Sequence, residues 1–211
     1  MSQPERWSVS WQGGDGRLVA REPAGPEVEA AASDLLAWYN EEHNRAMMAS
    51  QERMNLGDVR EQFDGAQEDR RSFLLYADGH LLGDADLRHI DAATRTAEFA
   101  IMIGERKVQG RGYGTRFALM LHALAFEALG LERIYVTIIP ANRGSLRLFE
   151  KLGYRADDSP AARSYVDEQD DVTMSFGRDE FRKLHGETVR QLAIGCIPAD
   201  DPARDAPAAK P

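Results

Sequence analysis

The stretch Val108–Thr115, VQGRGYGT, decides the fold because it carries glycine at every second position between two segments of different periodicity. A strand-like run, 97–104 (AEFAIMIG), precedes it, and a helical run that reaches Leu129 follows it. Glycine adopts the positive φ angles of a curled loop and lets a ligand approach the main chain closely. The first N–H groups of the following helix have no partner inside it and lie at the positive end of the helix dipole. The stretch therefore predicts a site for a phosphorylated ligand at the start of a helix.

The order of residues in this loop excludes two common phosphate-binding motifs. A dinucleotide fingerprint counted from Gly110 needs its third glycine at the position of Thr115. A nucleotide phosphate loop ends in Gly-Lys-Ser or Gly-Lys-Thr, and no such tripeptide follows Gly114. The pattern that remains is Gln-x-x-Gly-x-Gly, which begins at Gln109.

Four elements in a fixed order carry a family resemblance. They are 97–104 (AEFAIMIG), the glycine loop, 133–138 (RIYVTI) followed by 142–145 (NRGS), and 148–154 (LFEKLGY). In this order and spacing they resemble the GNAT acyl-CoA N-acyltransferases, in the branch of the ribosomal-protein-alanine and spermidine acetyltransferases. The resemblance covers about residues 17 to 184, and its sharp motifs lie between 97 and 154.

Hydrophobic periodicity predicts an α/β (α+β) fold with a mixed, mostly antiparallel central sheet and helices on both faces. The predicted strands are 17–21, 72–76, 81–90, 97–103, 133–139 and a closing hairpin of 163–166 with 172–176. The predicted helices are 27–40, 55–67, an amphipathic helix over 112–129, 143–152 and 178–185. The helical crossover after the glycine loop predicts one parallel strand pair, and the resemblance implies that these two strands splay apart.

The domain prediction follows from the same patterns. Residues 1–16 are expected to be an N-terminal extension, 17–192 a GNAT-like acetyltransferase domain, and 193–211 a disordered tail rich in Ala, Pro and Asp.

Composition limits the classes of protein to consider. The chain has 211 residues, 43% hydrophobic and 29% charged, which is ordinary for a globular protein. No apolar run reaches the roughly 18 residues of a membrane helix, and the first residues lack a signal-peptide pattern, so no membrane association and a cytoplasmic location are expected. The formal net charge of −9 argues against binding nucleic acid and mildly favours cationic partners.

Metal and nucleophilic chemistry are not expected. Cys196 is the only cysteine, so a disulfide within the chain and a cysteine-based zinc site are excluded. The five histidines form no His-Glu-x-x-His pattern, and no Gly-x-Ser-x-Gly stretch exists. We therefore expect neither a metal site nor a covalent intermediate.

The resemblance implies acetyl-CoA as the co-substrate. The main chain near Ile101, Met102 and Ile103 is expected to stabilise the oxyanion and to pair with the pantetheine amides. The loop residues expected to bind the coenzyme are Val108, Gln109, Gly110, Arg111, Gly112, Tyr113, Gly114 and Thr115. The side-chain amide of Asn142 is expected on the pantetheine arm, and Arg147, together with Arg111 and Arg116, near the phosphates.

Amide formation from a thioester needs a neutral amine, a stabilised oxyanion and a protonated thiolate. A lysine-type amine has a pKa of about 10.4, so Glu98 on the strand before the loop is the predicted base, directly or through water. Many GNAT enzymes place a tyrosine as the acid where this chain has Phe149. Ser145, Tyr154 or water remain as alternatives, with Ser145 favoured, or the acid is dispensable because a thiolate with a pKa of about 8.5 leaves unaided.

The acceptor is expected near the first helices. In the resembled branch these helices cover the acceptor pocket, so Trp38, Tyr39, Glu41, Glu42 and His43 are candidates, with Glu41 and Glu42 suited to a cation. The predicted function is acetyl transfer to a primary amine, either a protein N-terminus or a small amine such as a polyamine, amino sugar or antibiotic, by direct attack in a ternary complex.

Three alternatives stay open. Phe149 also fits a catalytically silent acyl-CoA-binding regulatory module. An acyl group other than acetyl is compatible with the same motifs. A homodimer is left open as the assembly.

Overall fold

Nine strands and seven α-helices make up the part of the chain that the computed structural model describes, residues 6–13, 16–48, 52–63, 68–166 and 170–197. The strands are β1 (Arg6–Gly13), β2 (Gly16–Arg21), β3 (Arg71–Ala77), β4 (His80–Asp91), β5 (Thr96–Ile103), β6 (Arg133–Ile138), β7 (Arg155–Ala156), β8 (Val172–Gly177) and β9 (Leu192–Ile197). The helices are α1 (Gly25–Tyr39), α2 (Glu42–Met47), α3 (Leu56–Gln62), α4 (Tyr113–Ala123), α5 (Arg143–Leu152), α6 (Pro160–Arg163) and α7 (Arg178–Val189).

All nine strands form one sheet in the order β7-β8-β6-β5-β4-β3-β2-β1-β9. Neighbouring strands are antiparallel except for β5 and β6, whose parallel pairing covers only Thr96–Glu98 against Arg133–Tyr135. Beyond this contact β5 stays paired with β4 as far as Ile103, and β6 stays paired with β8 as far as Ile138. The two central strands therefore diverge, which confirms the mixed, mostly antiparallel sheet with a splayed parallel pair.

Helix α4 is buried on nearly every side. Its residues from Phe117 to Ala123 are all buried, and the chain continues as a π-helical turn over Leu124–Ala128. The helix packs against β5 on one side and against α5 and α7 on others. A helix packed on several sides is apolar all round. The predicted position is therefore right, but the amphipathic pattern predicted for 112–129 is wrong.

Helices α1 and α3 cover the opposite face of the sheet. Leu35 and Tyr39 of α1 and Val59 of α3 pack with Leu74 of β3 and Met102 of β5 in a second buried cluster. Helices thus lie on both faces, as predicted. Among the described residues, no helix combines the length and apolar character that crossing a membrane requires.

The sheet extends beyond both predicted domain limits. Strand β1, which falls in the predicted N-terminal extension, pairs with β2 on one side and with β9 on the other. Strand β9 likewise begins the predicted tail, and its Ile194 lies opposite the fully buried Val9. Because β1 and β9 pair with residues far away in the sequence, neither segment carries a local sequence pattern that would predict its strand. The rest of the predicted tail, 198–211, lies outside the described residues.

The predicted hairpin of 163–166 with 172–176 is wrong. Strand β8 is present, but its antiparallel neighbours are β6 and the short β7. Residues 160–163 instead form α6, since Ser159 accepts a hydrogen bond from the Ala162 N–H at 3.2 Å and Pro160 occupies the first turn. A serine cap followed by proline is a strong helix start.

Candidate active site

A cleft of about 1040 Å³ opens where β5 and β6 diverge. Residues from both faces of the sheet line it, because the lost strand pairing separates the two central strands there. The lining residues from the glycine loop and the start of α5 include Val108, Gln109, Gly110, Gly112, Tyr113, Gly114, Thr115, Asn142, Ser145 and Arg147. Those from the first three helices and the β3–β4 part of the sheet include Tyr39, His43, Asn44, Gln62, Arg70, Asp84, Asp86 and Arg88.

The backbone of β5 presents hydrogen-bonding groups to this cleft. The Gly104 N–H donates to the Leu82 carbonyl at 2.8 Å, on the β4 side. Because N–H and C=O groups alternate in direction along a strand, those of Ile101 and Ile103 point away from β4, toward the gap left by β6. The groups of Met102 point to β4, so of the three residues predicted here only Ile101 and Ile103 offer main-chain contacts to the cleft.

Gln109 braces the glycine loop through its side chain. Its Nε2 donates to the Ile103 carbonyl at 2.7 Å and to Oδ1 of Asn44 at 3.1 Å. Asn44 is buried and donates in turn to the carbonyls of Trp38 and Gly104. The Gln109 side chain therefore connects the loop, β5 and α2, a positioning role that the loop motif alone did not predict.

The glycine loop ends in a helix start without a side-chain cap. Gly110 and Gly112 have φ angles of 76° and 84°, in the left-handed region, and a Cβ at either would meet no atom within 4 Å. Glycine is therefore required at both positions by the positive φ angle, and not because a side chain would collide with a neighbour. The first intrahelical bond joins the Arg116 N–H to the Gly112 carbonyl, which leaves the preceding N–H groups of α4 directed at the cleft.

Gly114 serves the packing of two helices. A Cβ at this position would lie 2.9 Å from Cδ1 of Leu148, on α5. Glycine here lets α4 and α5 approach closely beside the cleft. The third glycine of the motif therefore shapes the wall of the site, besides offering its N–H.

Helix α5 presents positive charge to the cleft. Arg143, Arg147 and Lys151 are four residues apart, and all three line the cleft. Arg147 was predicted, whereas Arg143 and Lys151 were missed. Arg111 is not among the lining residues, and the guanidinium of Arg116 lies 4.8 Å from the centre of the Tyr113 ring.

The side-chain amide of Asn142 is engaged within the protein. Its Oδ1 accepts from the Ser145 N–H at 3.0 Å and so caps α5, and its Nδ2 donates to the Met47 carbonyl at 2.9 Å. The predicted pantetheine contact would have to replace the bond to Met47. In this structure Asn142 holds the end of α2 against the start of α5.

Glu98 is buried and paired with an arginine. Its side chain is 3% exposed, and its Oε2 accepts from Nε of Arg88, its cross-strand partner, at 2.7 Å. His89 Nε2 lies 3.9 Å from the same oxygen. Arg88 lines the cleft, while Glu98 is not among the lining residues. To accept a proton from an acceptor amine, Glu98 would need Arg88 to move aside or a connecting water.

Two further carboxylates lie on the same face of the sheet. Asp84 and Asp86 of β4 are directly opposite Met102 and Ala100 of β5, so their side chains share a face with that of Glu98. Arg70 donates to Oδ2 of Asp86 at 2.7 Å, and Ser72 donates to its Oδ1 at 2.6 Å. Asp84 and Asp86, which line the cleft, therefore both belong to β4, and they define its acidic end.

Asp84 has a strongly altered acidity. Tyr39 and Gln62 both donate to its Oδ2, whereas its buried Oδ1 has no hydrogen-bond partner among the described residues. Burial, helped by the negative charge of Asp86, raises the pKa of Asp84 from 3.8 to about 8, against the opposing effects of Tyr39 and Arg70. Burial also raises the pKa of Tyr39 well above its usual value, so its hydroxyl stays a donor.

Of the alternatives for the acid, only Ser145 reaches the cleft. Ser145 is half-buried and lines it, as does the ring of Phe149. Tyr154 is buried, and its hydroxyl donates to Nε2 of His122, on the core side of α4. Tyr154 is therefore structural and not available to protonate a leaving group in the cleft.

The model of the family described as an acetyltransferase (GNAT) domain matches residues 22–155, which include the glycine loop and most of the cleft. The chain belongs to the GNAT acetyltransferase family. Spermidine N(1)-acetyltransferase of Escherichia coli K12 is 27% identical over 131 residues, 62% of this chain and 66% of that protein. The alignment thus spans just under two thirds of that relative's length.

Two solved GNAT-fold structures illustrate the likeness in three dimensions. Spermidine N-acetyltransferase from Vibrio cholerae in complex with CoA and spermine has a TM-score of 0.65 at 18% identity, over 78% of this chain and 97% of the other. Mycobacterium smegmatis RimJ in complex with CoA-disulfide has a TM-score of 0.64 at 16% identity, over 88% and 95%. At this level of identity they establish the fold.

Of the acceptor residues predicted for this GNAT chain, Tyr39 and His43 line the cleft, whereas Trp38, Glu41 and Glu42 do not. Trp38 packs against Gly104, and Glu41 caps α2 by accepting from the Asn44 N–H at 2.9 Å. Neither of these residues nor Glu42 is among the lining residues. Helix α2 was not predicted, and it turns His43 and also Asn44, which was missed, toward the cleft.

Sequence reasoning missed the acidic residues of the GNAT cleft for a different reason. The segment Leu82–Leu87, LGDADL, was recognised only as part of a strand. Two aspartates at alternate positions share one face of a strand. Which face they share depends on pairing with β5, and that is not local information.

No site for a metal ion is evident in the described part of this GNAT domain. There, no group of three or more His, Cys, Asp or Glu side chains is arranged to hold one.

Proposed function

We propose that this chain transfers the acetyl group of acetyl-CoA to a small cationic primary amine, by direct attack in a ternary complex. One observation carries the proposal: the open N–H groups at the start of α4 and the carboxyl groups of Asp84 and Asp86 line the same cleft, from opposite faces of the sheet. The helix start suits an anionic coenzyme, and the acidic residues suit a cationic acceptor. The divergence of β5 from β6 connects the two faces.

The coenzyme would bind through main-chain groups and positive charge. The diphosphate is assigned to the open N–H groups at the start of α4, from Gly112 to Thr115. The pantetheine arm would pair with the main chain of Ile101 and Ile103 as an added strand. Arg143 and Arg147 on α5 would attract the phosphate charge. Arg111, which does not line the cleft, has no assigned contact.

The acyl transfer itself would rely mainly on backbone donors. A cleft-directed N–H at Ile101 or Ile103 would stabilise the oxyanion as the amine attacks the thioester carbonyl. Phe149 cannot donate a proton, so Ser145 or a solvent water would protonate the thiolate. The chemistry needs no nucleophile from the protein.

A small cationic acceptor fits the acidic end best. Asp84 and Asp86 are both buried, but Asp86 is paired with Arg70, so Asp84 is the carboxyl group that a charged amine would compensate. The E. coli relative is named for spermidine, which is such an amine. A protein N-terminus is the second acceptor class, because the sequence motifs also resemble the ribosomal-protein-alanine acetyltransferases.

A direct assay tests the proposal. The purified protein is mixed with acetyl-CoA and with spermidine, an amino sugar, an aminoglycoside or a peptide that begins with alanine, and the free thiol is followed. Thiol release that depends on spermidine supports the proposal, and release with the peptide alone favours the protein-acceptor class. Tight CoA binding by calorimetry without turnover on any amine would instead favour the silent binding module, which Phe149 motivates.

Assembly and location are part of the same proposal. We predict a cytoplasmic protein, as the sequence indicates, and regard a homodimer as the assembly to test first. Light scattering on the eluted protein gives the mass directly, against 23.5 kDa for one chain.

A further inference from the structure

Three carboxyl groups on one face of the sheet differ in the groups that donate hydrogen bonds to them. Glu98 accepts from Nε of Arg88, and Asp86 accepts from two nitrogens of Arg70. Two of the three are therefore paired with a guanidinium. Among the described residues, Asp84 accepts only from neutral donors, the hydroxyl of Tyr39 and the amide of Gln62.

The two oxygens of Asp84 have different environments. Tyr39 and Gln62 converge on Oδ2 and so fix the orientation of the carboxyl group. Oδ1 is buried without a hydrogen-bond partner among the described residues. A buried oxygen without a partner is costly, and an ammonium donor at this end of the cleft would satisfy it.

Asp84 is also close to the backbone expected to hold the thioester. It is directly opposite Met102, which lies between Ile101 and Ile103, the two residues whose main chain faces the cleft. Paired residues in antiparallel strands have Cα atoms about 5 Å apart. The carboxyl group therefore lies one strand away from the main-chain groups that are proposed to bind the acyl group.

We propose that Asp84 is the base that takes the proton from the acceptor ammonium, a step that rests on the proposed acetyltransferase function. Asp84 carboxylate and R–NH₃⁺ give the carboxylic acid and R–NH₂. The amine nitrogen then forms a bond to the thioester carbon, the carbon–sulfur bond breaks, and a proton passes from that nitrogen to the departing sulfur. The products are the amide and the CoA thiol, and Asp84 returns its proton to solvent.

The acidity of Asp84 agrees with this role. An ordinary aspartate is about six pKa units more acidic than a lysine-type ammonium, whereas with a pKa of about 8 the gap is only about two units. The groups that face Asp84 are Tyr39 from α1, Gln62 from α3, Arg70 before β3 and Asp86 on its own strand. Of these, Asp86 raises the pKa, and Tyr39 and Arg70 lower it.

The pH dependence of kcat/KM on the amine tests the proposal. For the unaltered protein we expect a bell with one limb at about pH 8 and another near the pKa of the amine, at about 10. The pH profile of Asp84→Asn should lack the limb at about pH 8. Its kcat should be lower by about 10²-fold or more, with the KM for acetyl-CoA unchanged. Asp34→Asn, which neutralises an exposed aspartate on α1, is the matched control and should keep both limbs.

Two further variants keep the test decisive. Tyr39→Phe retains Asp84 but removes a hydrogen bond that lowers its pKa, so the lower limb should move to higher pH. This variant decides the question even if Asp84→Asn does not fold. Glu98→Gln tests the other candidate base. If Asp84 is the base, the pH profile of this variant should keep the limb at about pH 8.

The contrary outcomes are distinct from each other. A lower limb that stays in place in both Asp84→Asn and Tyr39→Phe, or one that disappears in Glu98→Gln alone, overturns the assignment of Asp84. Absence of turnover by the unaltered protein on every amine overturns the proposed function itself.

Discussion

The hydroxyl of Tyr154 donates a hydrogen bond to Nε2 of His122 within the buried core. The other ring nitrogen, Nδ1, lies 2.6 Å from the Ala118 carbonyl, which can only accept, so Nδ1 carries the proton. Both nitrogens of the neutral ring are therefore satisfied. A second proton on Nε2 would find the Tyr154 oxygen only if that hydroxyl gave up its own donor role.

The first prediction concerns acid stability. Burial lowers the pKa of His122 from 6.5 to about 4, so the folded state holds fewer protons than the unfolded state between these values. The contribution of His122 alone to the free energy of unfolding should fall by about 3 kcal/mol as the pH decreases from about 6.5 to 4. Because His122→Gln lacks this contribution, the stability of the unaltered protein relative to the variant, measured by denaturant unfolding, should fall by this amount over the range. Equal slopes for the variant and the unaltered protein would contradict the prediction.

The second prediction concerns alkaline stability. The pKa of Asp84 is raised from 3.8 to about 8, so its contribution to stability is complete below about pH 4 and is lost as the pH rises to about 8. The expected loss is about 1.4 kcal/mol for each pH unit in this window. The free energy of unfolding of Asp84→Asn, minus that of the unaltered protein, should therefore increase from pH 5 to pH 8. If this difference is the same at every pH, Asp84 does not have the raised pKa.

The third prediction separates the loop from the fold. Gly112→Ala forces a side chain into φ 84°, which costs about 1–2 kcal/mol and shifts the N–H groups at the start of α4. We expect CoA affinity, measured by calorimetry, to fall at least tenfold. Gly130→Ala is the matched control, because Gly130 has φ 71° beyond the other end of the same helix. It should lose similar stability and keep its CoA affinity, and a loss of affinity in both would count against the loop site.

The fourth prediction concerns the charge on α5. Arg147→Ala should weaken CoA binding several-fold and reduce its dependence on salt concentration, because one charge near the phosphates is removed. Arg182→Ala removes an exposed guanidinium that pairs with Glu127 away from the cleft. Calorimetry at two salt concentrations should show the control unchanged. If the two variants show the same CoA affinity and the same salt dependence, Arg147 does not contribute to coenzyme binding.

The glycine-rich start of α4 and the start of α5 could be predicted because the information for them is local. The alternating glycines from Gly110 to Gly114 and the Asn142 cap of α5 lie within short segments whose conformation their own residues determine. The parallel pair β5–β6 followed from the helical crossover between its strands.

The acidic end of the cleft could not be predicted in the same way. Asp84 owes its raised pKa to burial beneath α1 and α3 and to the charge of Asp86, while Tyr39, 45 residues earlier in the chain, orients the carboxyl group and opposes the shift. The pairing of Glu98 with Arg88 depends on the register of β4 against β5. Strand β9 likewise depends on β1, at the other end of the described chain. These are tertiary relationships, which no window of sequence contains.

The short contact between Thr96–Glu98 and Arg133–Tyr135 has a mechanical consequence. The sheet is joined along a seam of only three residue pairs, with β6, β7 and β8 on one side and six strands on the other. We expect the empty protein to open first along this seam, so amide hydrogens on β6 should exchange faster than those on β3. A coenzyme lying in the gap would contact both parts of the sheet and hold them together. Its binding should therefore slow amide hydrogen exchange on β5 and β6 alike.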